Sequence, residues 1–380
     1  NNGISGLEKS LDNNLKKSKD PITLTVDKDI QFLIRDELIK FNEIFKTKGS
    51  AAILMNIRNG EILSLVSLPD FDPNKRKKIS DTNFINRATK GVYEFGSVFK
   101  TFTLAAAFNE EIIEPKTKFI DLPKSLTCAG FPIREYDQDI PSTLTAEQIL
   151  IRSGNIGSVK IGQKVGEEKF RLFLSKIGIL EKINFDIEEV GKPMKFKWGK
   201  CPLATASYGH GITTTLLQLV KAYSIITNGG YEIIPSLIKK NKAVKKEKIL
   251  TDSVSRKILP ILRKVVTNEE GTAALANVDG YEVGGKTGTA QKSIAGGYSE
   301  NKKINTFVSV FPTSKPKFVL AVMMDEPKIN KDYIYEYRDG SNFKLKGSPR
   351  NTAGWNSAEV TGHIIEKIGP ILATKYTEIN

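Results

Sequence analysis

The sequence predicts a mixed α+β fold in which one sheet is assembled from both ends of the chain and helices fill the middle. Two apolar runs, Ala51 to Ile57 and Glu61 to Leu68, flank Asn59-Gly60, a pair that tolerates positive φ and so marks a hairpin turn. Asn305 to Phe311 and Lys317 to Met324 form a second pair of strand-like runs, with Pro312 and Pro316 in their turn. Between these pairs the segments carry helix starts and helical spacing instead.

Residues 1 to 20 are polar, hold Gly3 and Gly6, and stop at Pro21, which reads as a linker. From Asp27 to about residue 46 the positions Ile30, Leu33, Ile34, Leu38, Phe41 and Phe45 put one oily face on a helix. A loop from Arg87 leads to Ser97, where a helix carrying Phe99, Phe102, Thr103, Ala106 and Ala107 begins. Thr145-Ala-Glu-Gln148 and Thr215-Leu-Leu-Gln218 both fit the capping box, and the second helix runs to Asn228 before Gly229-Gly230. Thr251 to Val266 is amphipathic with a kink expected at Pro260, and a last helix runs from about Ala353 to Ala373.

At 380 residues the length alone suggests two or three domains, at about 100–200 residues each. Lys and Arg number 57 against 43 Asp and Glu, a net charge of +14. The basic stretches are Lys75, Arg76, Lys77 and Lys78, then Lys239, Lys240, Lys242, Lys245, Lys246 and Lys248. Neither is interleaved with aromatics, so they read as solvated surface and nucleic acid is not an expected partner. Cys128 and Cys201 are too few for a disulfide scaffold and are read as free or incidental, with a single bridge between them as the lesser alternative. The two histidines, His210 and His363, lack metal-site spacing, so no metal is expected. His210 is read as a structural or cleft-wall residue, and Trp198 and Trp355 as packing residues. The uncharged stretch Leu203 to Val220 carries too many hydroxyls and glycines for a membrane span.

Three short motifs carry chemistry. In Ser97-Val98-Phe99-Lys100 the i, i+3 spacing at a helix start puts a hydroxyl and an amine on one face. A serine needs a base, and a lysine with an ordinary pKa of about 10.4 serves only when burial or a neighbouring cation lowers it. Ser153-Gly154-Asn155 offers a relay hydroxyl and an amide. Lys286-Thr287-Gly288-Thr289 adds a cation and two hydroxyls beside Gly284-Gly285. Gly280 to Thr287 also satisfies a P-loop pattern, which makes an NTPase an alternative, but Gly288, Gly296 and Gly297 make a poor helix after the lysine.

In this order the three motifs are close to the signature of serine penicillin-recognising enzymes. With them, Gly6-Leu7-Glu8-Lys9, Thr23 to Asp27 with Gln31, Asn59 to Leu63, Tyr93 to Ser97, Ser207 to Gly211, Thr215 to Gln218, Gly271-Thr272-Ala273 and Ala290-Gln291-Lys292 make nearly the whole chain resemble a class B penicillin-binding protein transpeptidase domain, most similar to the cell-division branch. Two positions depart from the family pattern: Phe95 replaces its usual Pro, and Gly154 its usual Ser.

The resemblance implies a central antiparallel sheet between helical layers, an all-helical lobe and a cleft at their junction, with residues 21–380 as the transpeptidase domain and 1–20 as the remnant of a link to an N-terminal pedestal. It implies a serine D,D-transpeptidase that joins peptidoglycan stem peptides at the division septum and is acylated by β-lactams. The implied catalytic set is Ser97, Lys100, Ser153 and Lys286, with Asn155, Thr287, Gly288 and Thr289 binding substrate and no cofactor. Implied partners are a D-Ala-D-Ala donor, an amine acceptor, β-lactam antibiotics, a septal glycosyltransferase and other division proteins. The implied location is outside the inner membrane, in the periplasm, behind a single N-terminal anchor preceding this sequence. An elongation-specific transpeptidase, a β-lactamase, and a β-lactam sensor or inactive scaffold are the alternatives within this fold.

Overall fold

The computed structural model describes residues 3, 5–17, 20–72, 84–240, 247–294 and 297–376. Two short helices, α1 (Gly6–Ser10) and α2 (Asp12–Lys17), precede α3 (Lys28–Ile44) and the hairpin β1 (Gly49–Asn56) and β2 (Ile62–Leu68). A 3-10 turn, Gly96–Val98, leads into α4 (Phe99–Asn109). Then follow β3 (Lys118–Phe119), β4 (Ser125–Cys128), β5 (Phe131–Arg134), β6 (Leu144–Thr145) and the helices α5 (Ala146–Ile151), α6 (Asn155–Val165), α7 (Glu167–Lys176), α8 (Lys200–Ala206), α9 (Leu216–Thr227) and α10 (Asp252–Thr267). The chain closes with β7 (Gly284–Ile294), β8 (Gly297–Phe311), β9 (Phe318–Asp325), β10 (Ile334–Glu336), β11 (Lys344–Lys346) and α11 (Ser357–Lys375).

The main sheet has the order β2-β1-β9-β8-β7 and is antiparallel at every pairing, so both ends of the chain do build one sheet. Every residue of β1 (GSAAILMN) and β9 (FVLAVMMD) is buried, which requires cover on both faces. Helices α3 and α11 pack together against it, as do α9 and α10. A second, helical lobe forms around α4, whose residues Phe99 to Phe108 are all buried against α5, α6, α7 and α10. A helix apolar all round belongs in a core, and this one carries the residues after Ser97.

Both capping boxes are present, with Thr145 and Thr215 each accepting from the amide three residues on. Strand β7 was not foreseen: GGKTGTAQKSI has three glycines and no apolar alternation, and its pairing with β8 supplies the order that propensity does not. The same strand removes the P-loop alternative, because Lys286 lies within a strand that continues to Ile294, whereas a P-loop lysine opens a helix. Residues 5–17 are largely helical rather than extended, and Gly6 N–H donates to Glu189 Oε1 at 2.8 Å.

The reading of the cysteines is corrected. Cys128 and Cys201 form a disulfide across 73 positions, joining β4 to α8. Residue count rules out a disulfide scaffold but says nothing against a single clasp, which only the third dimension reveals. Residues 75–78 of the basic stretches, and 242, 245 and 246, lie outside the described residues, whereas Lys239, Lys240 and Lys248 are exposed.

Candidate active site

One cleft of about 670 Å³ lies where the sheet's β7 edge meets the helical lobe, and its lining includes Ser97, Lys100, Ser153, Asn155, Thr287 and Thr289. Three motifs far apart in sequence thus meet, and each is delivered by a different element. Ser97 sits in the Gly96–Val98 turn, half-buried at the head of α4. Lys100 follows within α4, 2% exposed, so its amine is held inside the protein. Ser153 occupies the break between α5 and α6 with φ 59°, a left-handed conformation that reverses the chain so that Asn155 can start the next helix.

Lys286 reaches the same point from β7. Thr287 and Thr289, two residues apart on the strand, line the cleft, and Lys286 on the alternate register is fully buried. Its amine donates to Ser153 Oγ at 2.9 Å, and the Lys100 amine donates to the same oxygen at 3.1 Å and also to the Ser153 carbonyl. The Ser153 hydroxyl therefore bridges two buried amines. Burial pushes Lys100 down to about 7, against the field of Glu135, which acts to raise it. Burial, with the neighbouring Lys100, also holds Lys286 well below the ordinary lysine value. Among the described residues Lys100 makes no hydrogen bond to Ser97 in this conformation; its bonds go to Ser153.

Glycines set how closely β7 approaches the nucleophile. A Cβ on Gly288 would lie 2.1 Å from the Phe95 carbonyl oxygen, so only glycine lets the strand lie against the turn. Gly288 thus shapes the site without lining it. Gly96, at φ 57°, rests against the Thr289 backbone in the same way. Thr287 Oγ1 and Thr272 Oγ1 are 2.6 Å apart, and Thr289 Oγ1 accepts from Ala353 N–H at 3.0 Å.

The two family departures sit in different settings. Phe95 is fully buried edge-to-face with Tyr93, and its φ of −108° lies outside the range a proline ring permits. A Cβ at Gly154 would meet Ile140, Glu135 and Ile149 at 3.3 to 3.8 Å, near ordinary contact distance, so nothing in the packing requires glycine there.

Sequence reasoning missed Glu135. Its two carboxylate oxygens accept from Asn155 N–H at 2.5 Å and Ile156 N–H at 2.8 Å, capping α6 and fixing the backbone of the second motif. Asn155 Nδ2 donates to the Arg134 carbonyl at 2.7 Å from the same segment. Nothing in Arg134-Glu135-Tyr136 announces this, because a cap supplied from 20 residues away leaves no local pattern. Trp355, read as packing, does pack on Tyr335 but also lines the cleft, and His210, stacked on Tyr208, lines it as well. Among the described residues no group of three or more His, Cys, Asp or Glu side chains could hold a metal, and no helix is long and apolar enough to cross a membrane.

This fold and motif arrangement place the chain in a known class. Residues 50–342 match the penicillin binding protein transpeptidase domain family, and the chain belongs to it. Over 98% of its length it is 31% identical to the probable peptidoglycan D,D-transpeptidase FtsI of Caulobacter vibrioides, of which it spans 63%. It is 33% identical, over 84% of its length and 80% of the relative's, to the probable peptidoglycan D,D-transpeptidase PenA of Neisseria flavescens. Among solved structures, the transpeptidase domain of Burkholderia pseudomallei penicillin-binding protein 3 superposes with a TM-score of 0.78 at 27% identity, covering 92% of this chain and 96% of that one.

Proposed function

We propose that this chain is the catalytic domain of a class B penicillin-binding protein, a serine D,D-transpeptidase that crosslinks peptidoglycan stem peptides. The observation that carries the reading is the Ser153 hydroxyl held by both the Lys100 and Lys286 amines on the floor of the cleft that Ser97 lines. Ser97 Oγ attacks the carbonyl of the penultimate D-alanine, the C–N bond to the terminal D-alanine breaks, and an acyl-enzyme remains. Lys100, with a pKa near neutrality, takes the Ser97 proton, and Ser153 with Lys286 passes a proton to the leaving amine. The backbone amides of Ser97 and Thr289 stabilise the oxyanion, a role in which loss of one donor typically costs about 10²-fold or more. Thr287, Thr289 and Lys286 hold the substrate carboxylate, Gly288 keeps the strand close enough for them to do so, and Asn155 holds the peptide amide. An acceptor amine then releases the acyl group as a crosslink, and a β-lactam acylates Ser97 in place of the donor.

The division septum is the assigned setting, because the Caulobacter relative bears the name FtsI and the sequence is most similar to the division branch. Residues 21–380 act as one catalytic unit, with 1–20 as the link to a pedestal, outside the inner membrane and alongside a septal glycosyltransferase. Incubation of the protein with a stem peptide ending in D-Ala-D-Ala and an amine acceptor releases D-alanine and yields a crosslinked product, and Ser97→Ala yields neither. Crosslinking that survives Ser97→Ala removes the reading, and rounded rather than filamentous cells on depletion remove the septal assignment.

A further inference from the structure

The carboxylates that line the cleft are partnered in different ways. Arg152 pairs with both Asp137 at 3.0 Å and Glu270 at 2.9 Å, so each of these carboxylates has a guanidinium partner. Glu94, three residues before Ser97, also lines the cleft, its side chain 12% exposed. Its carboxylate accepts from Tyr298 Oη at 2.8 Å and from Gly211 N–H at 2.9 Å. His210 Nδ1 lies 3.8 Å away, and among the described residues no lysine or arginine pairs with Glu94. Aromatic rings surround it. His210 stacks on Tyr208 at 6.0 Å and tilts over Tyr298 at 4.6 Å, and both Tyr208 and His210 line the cleft.

Elementary chemistry says what such a place receives. A carboxylate with no lysine or arginine partner, set beside the rings of Tyr208, His210 and Tyr298, attracts an organic cation through charge, with the ring quadrupoles adding to it. The floor of the cleft meanwhile holds two buried amines, Lys100 and Lys286, which oppose the approach of a third wherever they carry charge. An amine acceptor arrives as an ammonium at neutral pH, with an ordinary pKa of about 10.4, so it needs an anionic station before it reaches the acyl-ester.

We propose that Glu94, with Tyr208, His210 and Tyr298, forms the binding site for the primary ammonium of the acceptor in the second half-reaction. The proposal rests on the transpeptidase reading. Bound there, the ammonium releases one proton to solvent, and the amine nitrogen attacks the carbonyl of the Ser97 ester. The C–N bond forms, the bond from that carbon to Ser97 Oγ breaks, and the second proton passes to the departing Oγ. Glu94 acts on the acceptor alone, so the donor half-reaction does not run through it.

The test separates the two halves. Acylation of the protein by labelled penicillin reports the donor half. Partition of an N-acyl-D-alanyl thioester between hydrolysis and aminolysis, at rising concentrations of a primary amine acceptor, reports the acceptor half. Glu94→Gln loses the charge and keeps one acceptor oxygen, which Gly211 N–H can retain while the Tyr298 hydroxyl turns to accept from the new amide NH2. Its acceptor concentration for half-maximal aminolysis is expected to rise about tenfold or more, with penicillin acylation and thioester hydrolysis within twofold of wild type. Glu94→Asp is expected to recover part of the loss, and a neutral hydroxyl acceptor to show no dependence on the substitution. A Glu94→Gln protein with wild-type acceptor dependence, or one whose acylation falls as far as its aminolysis, overturns the ammonium site and leaves the transpeptidase reading standing. Wild-type protein that takes up no penicillin removes both.

Discussion

Glu135 uses both carboxylate oxygens to hold the first amides of α6, so the position of Asn155 depends on a residue that touches no substrate. Its charge also works against burial at Lys100, whose pKa is pushed down to about 7. The consequence for pH has a definite sign. In the proposed mechanism the base is neutral Lys100, so acylation by penicillin rises as pH passes upward through about 7. Glu135→Gln removes the influence that raises this pKa, so the acid limb of the acylation rate moves to lower pH. The plateau falls as well, by about tenfold, because Gln leaves one helix amide without a good acceptor. A plateau loss with no movement of the limb assigns Glu135 a purely structural role. The candidate nucleophile and its two lysines were legible from the motifs, since their spacing is local. The electrostatic partner that tunes them was not, because no local spacing records a contact made from another segment.

Strand β7 shows how an element can be functional and nearly invisible in sequence. Its glycines depress strand propensity, and Gly288 among them allows the approach to Phe95. The carbonyl at 2.1 Å from a virtual Cβ is main chain and cannot swing aside, so Gly288→Ala forces the edge strand and the nucleophile turn apart. The expected result is a fall of about 100-fold or more in penicillin acylation, with a stability loss of only about 1–3 kcal/mol by thermal or urea unfolding. Near-normal acylation contradicts the packing account. The elements read correctly, among them the β1–β2 hairpin, the two Thr-capped helices and α10, are those whose order is encoded in turns, caps and amphipathic period. The helices α6, α7 and α8 lacked a reading; α6 and α7 lean on α4 and α8 on α6 for much of their order.

Across the whole molecule, length alone suggested two or three domains, whereas one cleft collects residues 97, 153 and 286 from helix, loop and strand. The Cys128–Cys201 disulfide spans that architecture. It joins the β4–β5 hairpin, whose continuation carries Glu135 and Tyr136, to α8, whose continuation carries Tyr208 and His210. The two walls of the cleft are thereby fastened to each other. Closing a loop of 73 positions is worth about 4 kcal/mol in the chain-entropy account, so Cys128→Ser with Cys201→Ser, or reductant added to the wild type, should lower the unfolding free energy by that order. An unchanged denaturant midpoint contradicts this. The +14 charge also acquires a division of labour: Lys100 and Lys286 stand in the site, while Lys239, Lys240 and Lys248 lie on the surface.

The central claim is that Ser97, served by Lys100 and by the Ser153 hydroxyl between two amines, is an acylating nucleophile. Peptide mass spectrometry after brief exposure to benzylpenicillin tests it most directly. The account predicts one long-lived penicilloyl adduct per chain, located on the peptide containing Ser97 and absent from Ser97→Ala. An adduct on another residue, or one that persists in Ser97→Ala, would contradict it.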